Sequence, residues 1–234
     1  MAVNNDIGVI QNIQEIAALA HTRGVAFHSD AAQAAGKIAL DVRAQNIDLM
    51  SLSAHKLYGP MGLGALYVHA GMADRLKPLA HGGGQERGLR PGTLPTPLCV
   101  GFGEACRIAL AEFEAEAARL LAMRDRLLEQ LRASAPDMVV NGSLTRRIPG
   151  NLNIAFPGIE AESLIARLPE LALATGSACS SAVNEPSHVL TALGLSPELA
   201  AGSLRIGFGR FTTEAEQDRA GRLIAAAIKD LRPC

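Results

Sequence analysis

Aromatic residues are scarce in this chain of 234 residues, which has no tryptophan and only 3% aromatic side chains. Such a composition argues against a surface that stacks nucleic-acid bases. The net charge of −1 gives no electrostatic reason to expect nucleic acid or an anionic membrane as partner. No apolar run reaches the ~20 residues of a transmembrane helix, and the N-terminus shows no signal-peptide pattern. These absences predict a cytoplasmic protein.

The cysteines are few and widely spaced. They form no CxxC pair, which argues against a zinc site and against a disulfide framework. We therefore expect no metal and four free thiols. Cys99 and Cys106 are predicted to be core positions near the beginning of a long helix, and Cys234 is a terminal thiol.

Helix and strand patterns alternate in the first half of the chain, which indicates an α/β fold with an at least partly parallel sheet. IQNIQEIAALAHTRG has helical spacing and ends at Gly24. A long Ala/Leu/Glu/Arg-rich helix is predicted to end near Pro136, and a last helix to begin at Thr212 or Thr213. The predicted strands are VAFHSD, IDLMSLSA, LGALYVHA, MVVNG, NLNIAF, LALAT and SLRIGFG.

Asp30 and Lys56 each follow a predicted strand, where functional residues of α/β sheets gather. Taken alone, Asp30 fits a helix cap equally well, and a lysine such as Lys56 is more often a structural or solvated residue. Together they suit pyridoxal phosphate, which needs a lysine for covalent attachment and an acid to hold its pyridine nitrogen protonated. Apolar IDLMSL before Lys56 and rigid YGP after it predict a dry pocket for the amine.

Five segments occur in the same order as in one enzyme family: HSDAAQ, SLSAHKLYGPMGLGALYV, HGGGQERGLRPGTLP, ATGSACSS and SLRIGFGRFTTEAE. In these segments the chain resembles cysteine desulfurases of the branch involved in iron–sulfur cluster assembly and nitrogenase maturation. The resemblance implies fold type I of the pyridoxal phosphate enzymes. It implies a partial large domain with a mainly parallel sheet at 1–112 and a small C-terminal α+β domain at 113–234.

The resemblance also implies roles for the residues around the cofactor. Lys56 would be the Schiff-base lysine, Asp30 would pair with the pyridine nitrogen, and Gln33 would bond to the ring hydroxyl. Ser53 and His55 would hold the phosphate, as their hydrogen-bonding groups allow.

Outside that set, the resemblance assigns Thr93 to the phosphate of the other subunit's cofactor, so it implies a homodimer. Asn5 and Arg205 would bind the carboxylate of the substrate L-cysteine, for which the planar fork of arginine is suited. Cys179 would accept the sulfur as a persulfide and pass it to an iron–sulfur scaffold or another acceptor protein. A thiolate among the small polar residues of TGSACSS suits that task, whereas a free cysteine is more often a buried hydrophobe.

The chain departs from the family pattern in three places. Ala32 and Pro91 stand where many relatives carry Thr and Ser, and neither change removes a catalytic group. The resemblance begins at VNNDIG, in mid-domain, so we expect an N-terminal truncation that removes part of the phosphate site and a ring-stacking histidine. Two alternatives stay open: an inactive remnant or partner of an intact desulfurase, and another class V enzyme such as a selenocysteine lyase or an aminotransferase.

Overall fold

The computed structural model describes residues 1–176 and 187–232. The chain divides into two compact units, Met1–Val3 with Gln11–Phe113 and Asn4–Ile10 with Glu114–Cys234. Among the described residues no helix is both long and apolar enough to cross a membrane. The helices are α1 Ile13–Thr22, α2 Thr96–Ser134, α3 Ala161–Ala166, α4 His188–Ala192, α5 Pro197–Ala201 and α6 Glu214–Leu231. The strands are β1 His28–Asp30, β2 Leu49–Ser53, β3 Gly64–Val68, β4 Val139–Val140, β5 Asn151–Ala155 and β6 Ser203–Gly207.

The first unit is built on a three-stranded sheet with the order β1-β2-β3. β1 and β2 run parallel, with Asp30 opposite Ser51, and β3 pairs with β2 in the antiparallel direction. The sheet predicted to be mainly parallel is therefore mixed over these three strands. Because β1 and β2 are parallel, their carboxyl ends meet at one edge of the sheet.

An acidic side chain ties α1 to this sheet. The Asp48 carboxylate accepts hydrogen bonds from the Phe27 amide and from the His21 ring, both at 2.7 Å. Burial opposes the charged form, but the bonds from His21 and Phe27 prevail and hold the pKa of Asp48 below its ordinary value. Because Phe27 and Asp48 directly precede β1 and β2, these bonds fix where both parallel strands begin and therefore where they end relative to each other.

Helix α2 has 39 residues, and the chain passes from the first unit to the second within it. Its core-facing stripe in the first unit is formed by Phe102, Ala105 and Ala109, at helical spacing. Cys99 and Cys106 lie beside this stripe and are exposed. The prediction that they are core positions is wrong, because each is turned off the buried face.

The second unit has an antiparallel sheet with the order β4-β5-β6. β5 is buried along its whole length, and side chains from α2, α6 and the sheet share one apolar core. Thr213 caps α6, where its side chain and that of Glu216 form a capping box. Segment LALAT, predicted as a strand, forms only an isolated bridge between Ala174 and Arg205.

Buried amides connect the strands of this sheet. The Nδ2 of Asn141 donates to Asn153 Oδ1 at 2.7 Å and to Ser203 Oγ at 2.9 Å. All three residues are almost fully buried. Buried polar groups stabilise a core only when they are paired, as these donors are.

Segment Asn4–Ile10 is held in the second unit by both polar and apolar contacts. The Ile148 amide donates to the carbonyl of Gly8, and Ile7 packs in a small core with Leu190 and Ala200. Gly8 has φ +67°, and a Cβ added there would lie 2.4 Å from the Asn151 side chain. This close approach requires glycine.

We expect Gly8→Ala to lower the free energy of unfolding by about 3 kcal/mol, because the added Cβ meets both the left-handed backbone and the Asn151 side chain. The matched control is Gly158→Ala. Gly158 also has a positive φ, +75°, but nothing lies within 4 Å of its added Cβ. The control should therefore lose only about 1 kcal/mol. Urea unfolding measures both values, and equal losses would contradict the close packing of Gly8 on Asn151.

Candidate active site

The parallel pair β1 and β2 brings several predicted site residues to one edge of the first unit's sheet. Asp30 is the last residue of β1, and Ser53 is the last residue of β2. A 3₁₀ turn, Ala54–Leu57, follows β2 directly and carries His55 and Lys56. A carboxylate, a hydroxyl, an imidazole and an amine therefore follow the ends of two adjacent parallel strands.

Lys56 is exposed, whereas Ala54 and Leu57 of the same turn are buried. In a 3₁₀ turn the residues at i and i+3 share a face, so Ala54 and Leu57 face the core and the two residues between them face away. The prediction that IDLMSL and YGP enclose the amine in a dry pocket is therefore wrong for the chain as described. The apolar side chains shield the turn's backbone, while the amine stays open to a ligand.

The neighbouring polar groups already have local partners. Asp30 Oδ1 accepts a bond from the Ala32 amide at 2.8 Å, in a turn and not at a helix cap. Ser53 Oγ and His55 Nδ1 lie 3.1 Å apart. These contacts orient the carboxylate, the hydroxyl and the ring before any ligand binds.

Gln33 follows in the turn after β1, and its Oε1 accepts a bond from Lys37 Nζ at 3.0 Å. This bond occupies the carbonyl end of the Gln33 side chain. The amide Nε2 is the end that carries donors for a ring hydroxyl.

Thr93 lies apart from this edge in sequence, on an exposed loop with unusual backbone geometry. Three residues of the loop, Glu86, Arg87 and Gly88, have φ of 49°, 57° and 78° in succession. Two non-glycine residues in this region carry strain of about 1–2 kcal/mol each, which the packing of the loop must offset. The loop borders a cleft of about 1270 Å³ together with β3, and the lining includes none of the predicted site residues that the structure describes.

In the second unit Asn5 and Arg205, predicted to bind the substrate carboxylate, are in contact with each other. Nη1 of Arg205, on β6, donates to the Asn5 carbonyl at 3.1 Å. Arg205 also lies 4.0 Å from a carboxylate oxygen of Asp6, and Ser187 Oγ donates to the other oxygen at 2.6 Å. Asp6 and Ser187 were missed by sequence reasoning, and the only signal was the polar run Asn4, Asn5 and Asp6 before an apolar segment.

Cys179, predicted to be the sulfur acceptor, lies outside the residues that the structure describes. The described segment ends before it at Gly176 and resumes at Ser187, the residue that bonds to Asp6. Ser187 also caps α4 by accepting a bond from the Val189 amide at 3.3 Å.

The groups at the β1–β2 edge match the chemical needs of pyridoxal phosphate. An amine can bind its aldehyde, a carboxylate suits a protonated pyridine nitrogen, and hydroxyl and imidazole donors suit a phosphate. A Cβ at Gly59 would lie 3.0 Å from the Ala54 carbonyl, so the chain turns closely behind Lys56. The donor set and its exposure therefore fit this cofactor.

Known proteins resemble this chain over almost its whole length. The family model for class-V aminotransferases matches residues 1–219. Cysteine desulfurase IscS of Ehrlichia chaffeensis is 52% identical over 233 residues, which are 99% of this chain and 57% of that protein. The chain therefore spans little more than half the length of the curated relatives it matches.

Solved structures also resemble this chain over most of its length. A NifS-like protein is 31% identical with a TM-score of 0.88, covering 98% of this chain and 60% of its own. SspA, solved in complex with cysteine, is 36% identical with a TM-score of 0.70, covering 91% of this chain and 58% of its own. These matches confirm the predicted fold class and the predicted resemblance to cysteine desulfurases. Class-V aminotransferases and cysteine desulfurases are both families that depend on pyridoxal phosphate. The chain belongs to the class-V aminotransferase family.

Proposed function

We propose that this chain carries the lysine, the carboxylate and the sulfur-accepting cysteine of a pyridoxal phosphate-dependent cysteine desulfurase. The enzyme would convert L-cysteine to L-alanine and hold the released sulfur as a persulfide for iron–sulfur cluster biogenesis. The observation that carries the proposal is the placement of Asp30 at the end of β1 and of Lys56 in the turn after β2, the adjacent parallel strand. The identity of 52% with a cysteine desulfurase over 99% of the chain supports the choice of reaction.

When bound, pyridoxal phosphate supplies an electron sink for the bonds at the substrate's Cα. In the proposal, Lys56 Nζ attaches the cofactor, and its exposure on the turn leaves it accessible to an aldehyde. Asp30 holds a proton on the pyridine nitrogen, because a carboxylate beside that nitrogen favours its charged form. Its position is fixed by the bond from the Ala32 amide.

The remaining cofactor contacts follow from the donors that the chain presents. Ser53 and His55 lie together at the end of β2 and donate to the phosphate. Gln33 donates from Nε2 to the ring hydroxyl. Thr93 binds the phosphate of the cofactor that is attached to the other subunit of a homodimer.

Arg205 and Asn5 bind the α-carboxylate of L-cysteine in this proposal. The bond from Arg205 Nη1 to the backbone carbonyl of Asn5 keeps the two residues together on the second unit. A guanidinium binds a carboxylate through two parallel bonds, which orients the substrate as well as holding it. The solved complex of SspA with cysteine supports an amino-acid ligand of this kind.

In this proposal Cys179 accepts the sulfur of the substrate. Its thiolate attacks the sulfur of the substrate, and a sulfur–sulfur bond forms as the substrate's Cβ–S bond breaks. The electron pair of the broken bond stays on carbon, which takes up a proton to become the methyl group of L-alanine. In this proposal the enzyme is a homodimer in the cytoplasm. It passes its sulfur to an iron–sulfur scaffold or another acceptor protein.

We expect Lys56→Ala to abolish covalent attachment of pyridoxal phosphate, because no other amine replaces the one at the end of β2. Borohydride reduction followed by mass spectrometry of peptides measures the attachment. Lys77→Ala is the matched control, since Lys77 is an exposed lysine of the same unit that has no predicted role. Unchanged labelling in Lys56→Ala, or loss of labelling in the control, would contradict the assignment.

We expect Cys179→Ala to keep the covalent cofactor but to lower sulfide release from L-cysteine by at least about a hundredfold, because the nucleophile is gone. Cys106→Ala is the control. Cys106 is an exposed residue, and partial burial raises the pKa of its thiol, which lowers the fraction present as thiolate at neutral pH.

Assays of L-cysteine desulfurase activity separate this function from the alternatives. An inactive remnant would bind no cofactor covalently and release no sulfide. An aminotransferase would consume an amino donor equally well in the Cys179→Ala variant. A selenocysteine lyase would release selenide from L-selenocysteine while leaving L-cysteine intact.

A further inference from the structure

Asp6 is a carboxylate buried in the second unit, with only 2% of its surface exposed. A buried charge destabilises a protein unless it is paired and hydrogen-bonded. The two oxygens of Asp6 accept bonds from Asn5 Nδ2 at 2.9 Å and from Ser187 Oγ at 2.6 Å. Arg205 supplies the nearby positive charge, with Nη1 at 4.0 Å.

The backbone on either side of this carboxylate is also fixed. The Asp6 amide donates to the side chain of Asn4 at 2.9 Å. Its carbonyl accepts bonds from the side-chain amides of Asn151 and Asn153, both on β5. Asp6 is therefore held through its amide, its carbonyl and its carboxylate.

Arg205, in contrast, is only partly enclosed. Its side chain is 24% exposed, and within residues 1–176 and 187–232 its guanidinium has one hydrogen-bond acceptor, the Asn5 carbonyl. A guanidinium carries five donors in a planar fork, so one bond fixes a point and leaves rotation about it. An attraction from a second direction is needed to restrict this rotation.

We propose that Asp6 is the positioning residue that sets the orientation of the Arg205 guanidinium. The immobile carboxylate attracts Nη1, the nitrogen that also donates to Asn5, and the opposite edge of the fork is thereby held toward solvent. The proposal deepens the proposed function and rests on it in one respect, that the open edge binds the substrate carboxylate. The step from Asp6 to Arg205 stands on the contacts alone.

Ser187 and Asn5 give Asp6 its direction. Their donors approach different oxygens, so the carboxylate plane is defined by two bonds in addition to the attraction of Arg205. Ser187 is distant from Asn5 in the sequence, and its hydroxyl joins the beginning of α4 to the same carboxylate. A purely structural role would make Asp6 a link between these segments without any effect on the guanidinium.

The experiment follows the Arg205 side chain by NMR, in the full chain with pyridoxal phosphate added. The Nε–Hε signal is assigned by its loss in Arg205→Lys, and its order parameter reports the rigidity of the fork. Asp6→Asn keeps the shape but removes the charge. We expect the Arg205 signal to become mobile in this variant and to stay rigid in the control Asp230→Asn, which alters an exposed carboxylate.

A titration with L-alanine tests what the orientation serves. We expect Asp6→Asn to weaken L-alanine binding about tenfold and to leave binding of ethylamine, which lacks the carboxylate, unchanged. In an Arg205→Lys background, Asp6→Asn should add less than about twofold, because Asp6 acts through Arg205. Should Asp6→Asn fail to fold, Ser187→Ala removes one donor of the carboxylate instead. This variant should weaken L-alanine binding by about threefold and make the Arg205 signal more mobile than in the wild type.

The outcomes distinguish the two proposals. An Arg205 signal that stays rigid in Asp6→Asn overturns the positioning role, whatever the activity. Equal weakening of L-alanine and ethylamine binding also overturns it, because it indicates general damage. If the wild-type chain binds no L-alanine while the Arg205 signal still loosens in Asp6→Asn, the positioning role stands and the proposed function fails.

Discussion

The hydrogen bonds from two buried side-chain amides to the carbonyl of Asp6 hold the second unit's polar site together. Asn151 and Asn153, on β5, both donate to that one oxygen. Each amide would cost free energy if it were buried without a partner, so the strand and the segment Asn4–Ile10 depend on each other. Because Gly8 lets the backbone lie against Asn151, the segment comes close enough for Asn5 to reach Arg205.

A buried arginine supports the loop that receives this segment. Arg147 donates to the carbonyls of Ser143 and Asn141, and its backbone forms a bridge with Val9. Burial, together with the charge of Arg124, lowers the pKa of Arg147 to about 10. Arg147 therefore keeps its charge at neutral pH, where backbone carbonyls are its partners.

The fold class and the order of the main elements could be predicted from the sequence, because local patterns determine them. The alternation of helices and strands placed Asp30 and Lys56 at strand ends, and of the two caps predicted for α6, Thr212 and Thr213, the structure has Thr213. Segment LALAT has strand composition, yet it pairs only through Ala174, since composition does not state whether a partner edge is available.

The exposure of side chains was harder to predict than their positions. Lys56 follows an apolar strand, but the turn after the strand directs Ala54 and Leu57 inward instead. Asp6 shows the opposite case, because nothing in its local sequence marks it as buried. Its burial results from contacts with residues about 150 to 200 positions later, which no local pattern encodes.

The buried amide of Asn141 has a chemical consequence for the ageing of the protein. It precedes Gly142, and an Asn-Gly pair readily cyclises when the following backbone nitrogen attacks the side-chain amide. In the fold, the two bonds to Asn153 and Ser203 restrain that amide. Folding therefore slows deamidation at a site that an unfolded chain leaves open. A molecule that deamidates before it folds must then accommodate an acidic group beside the buried side chains of Asn153 and Ser203.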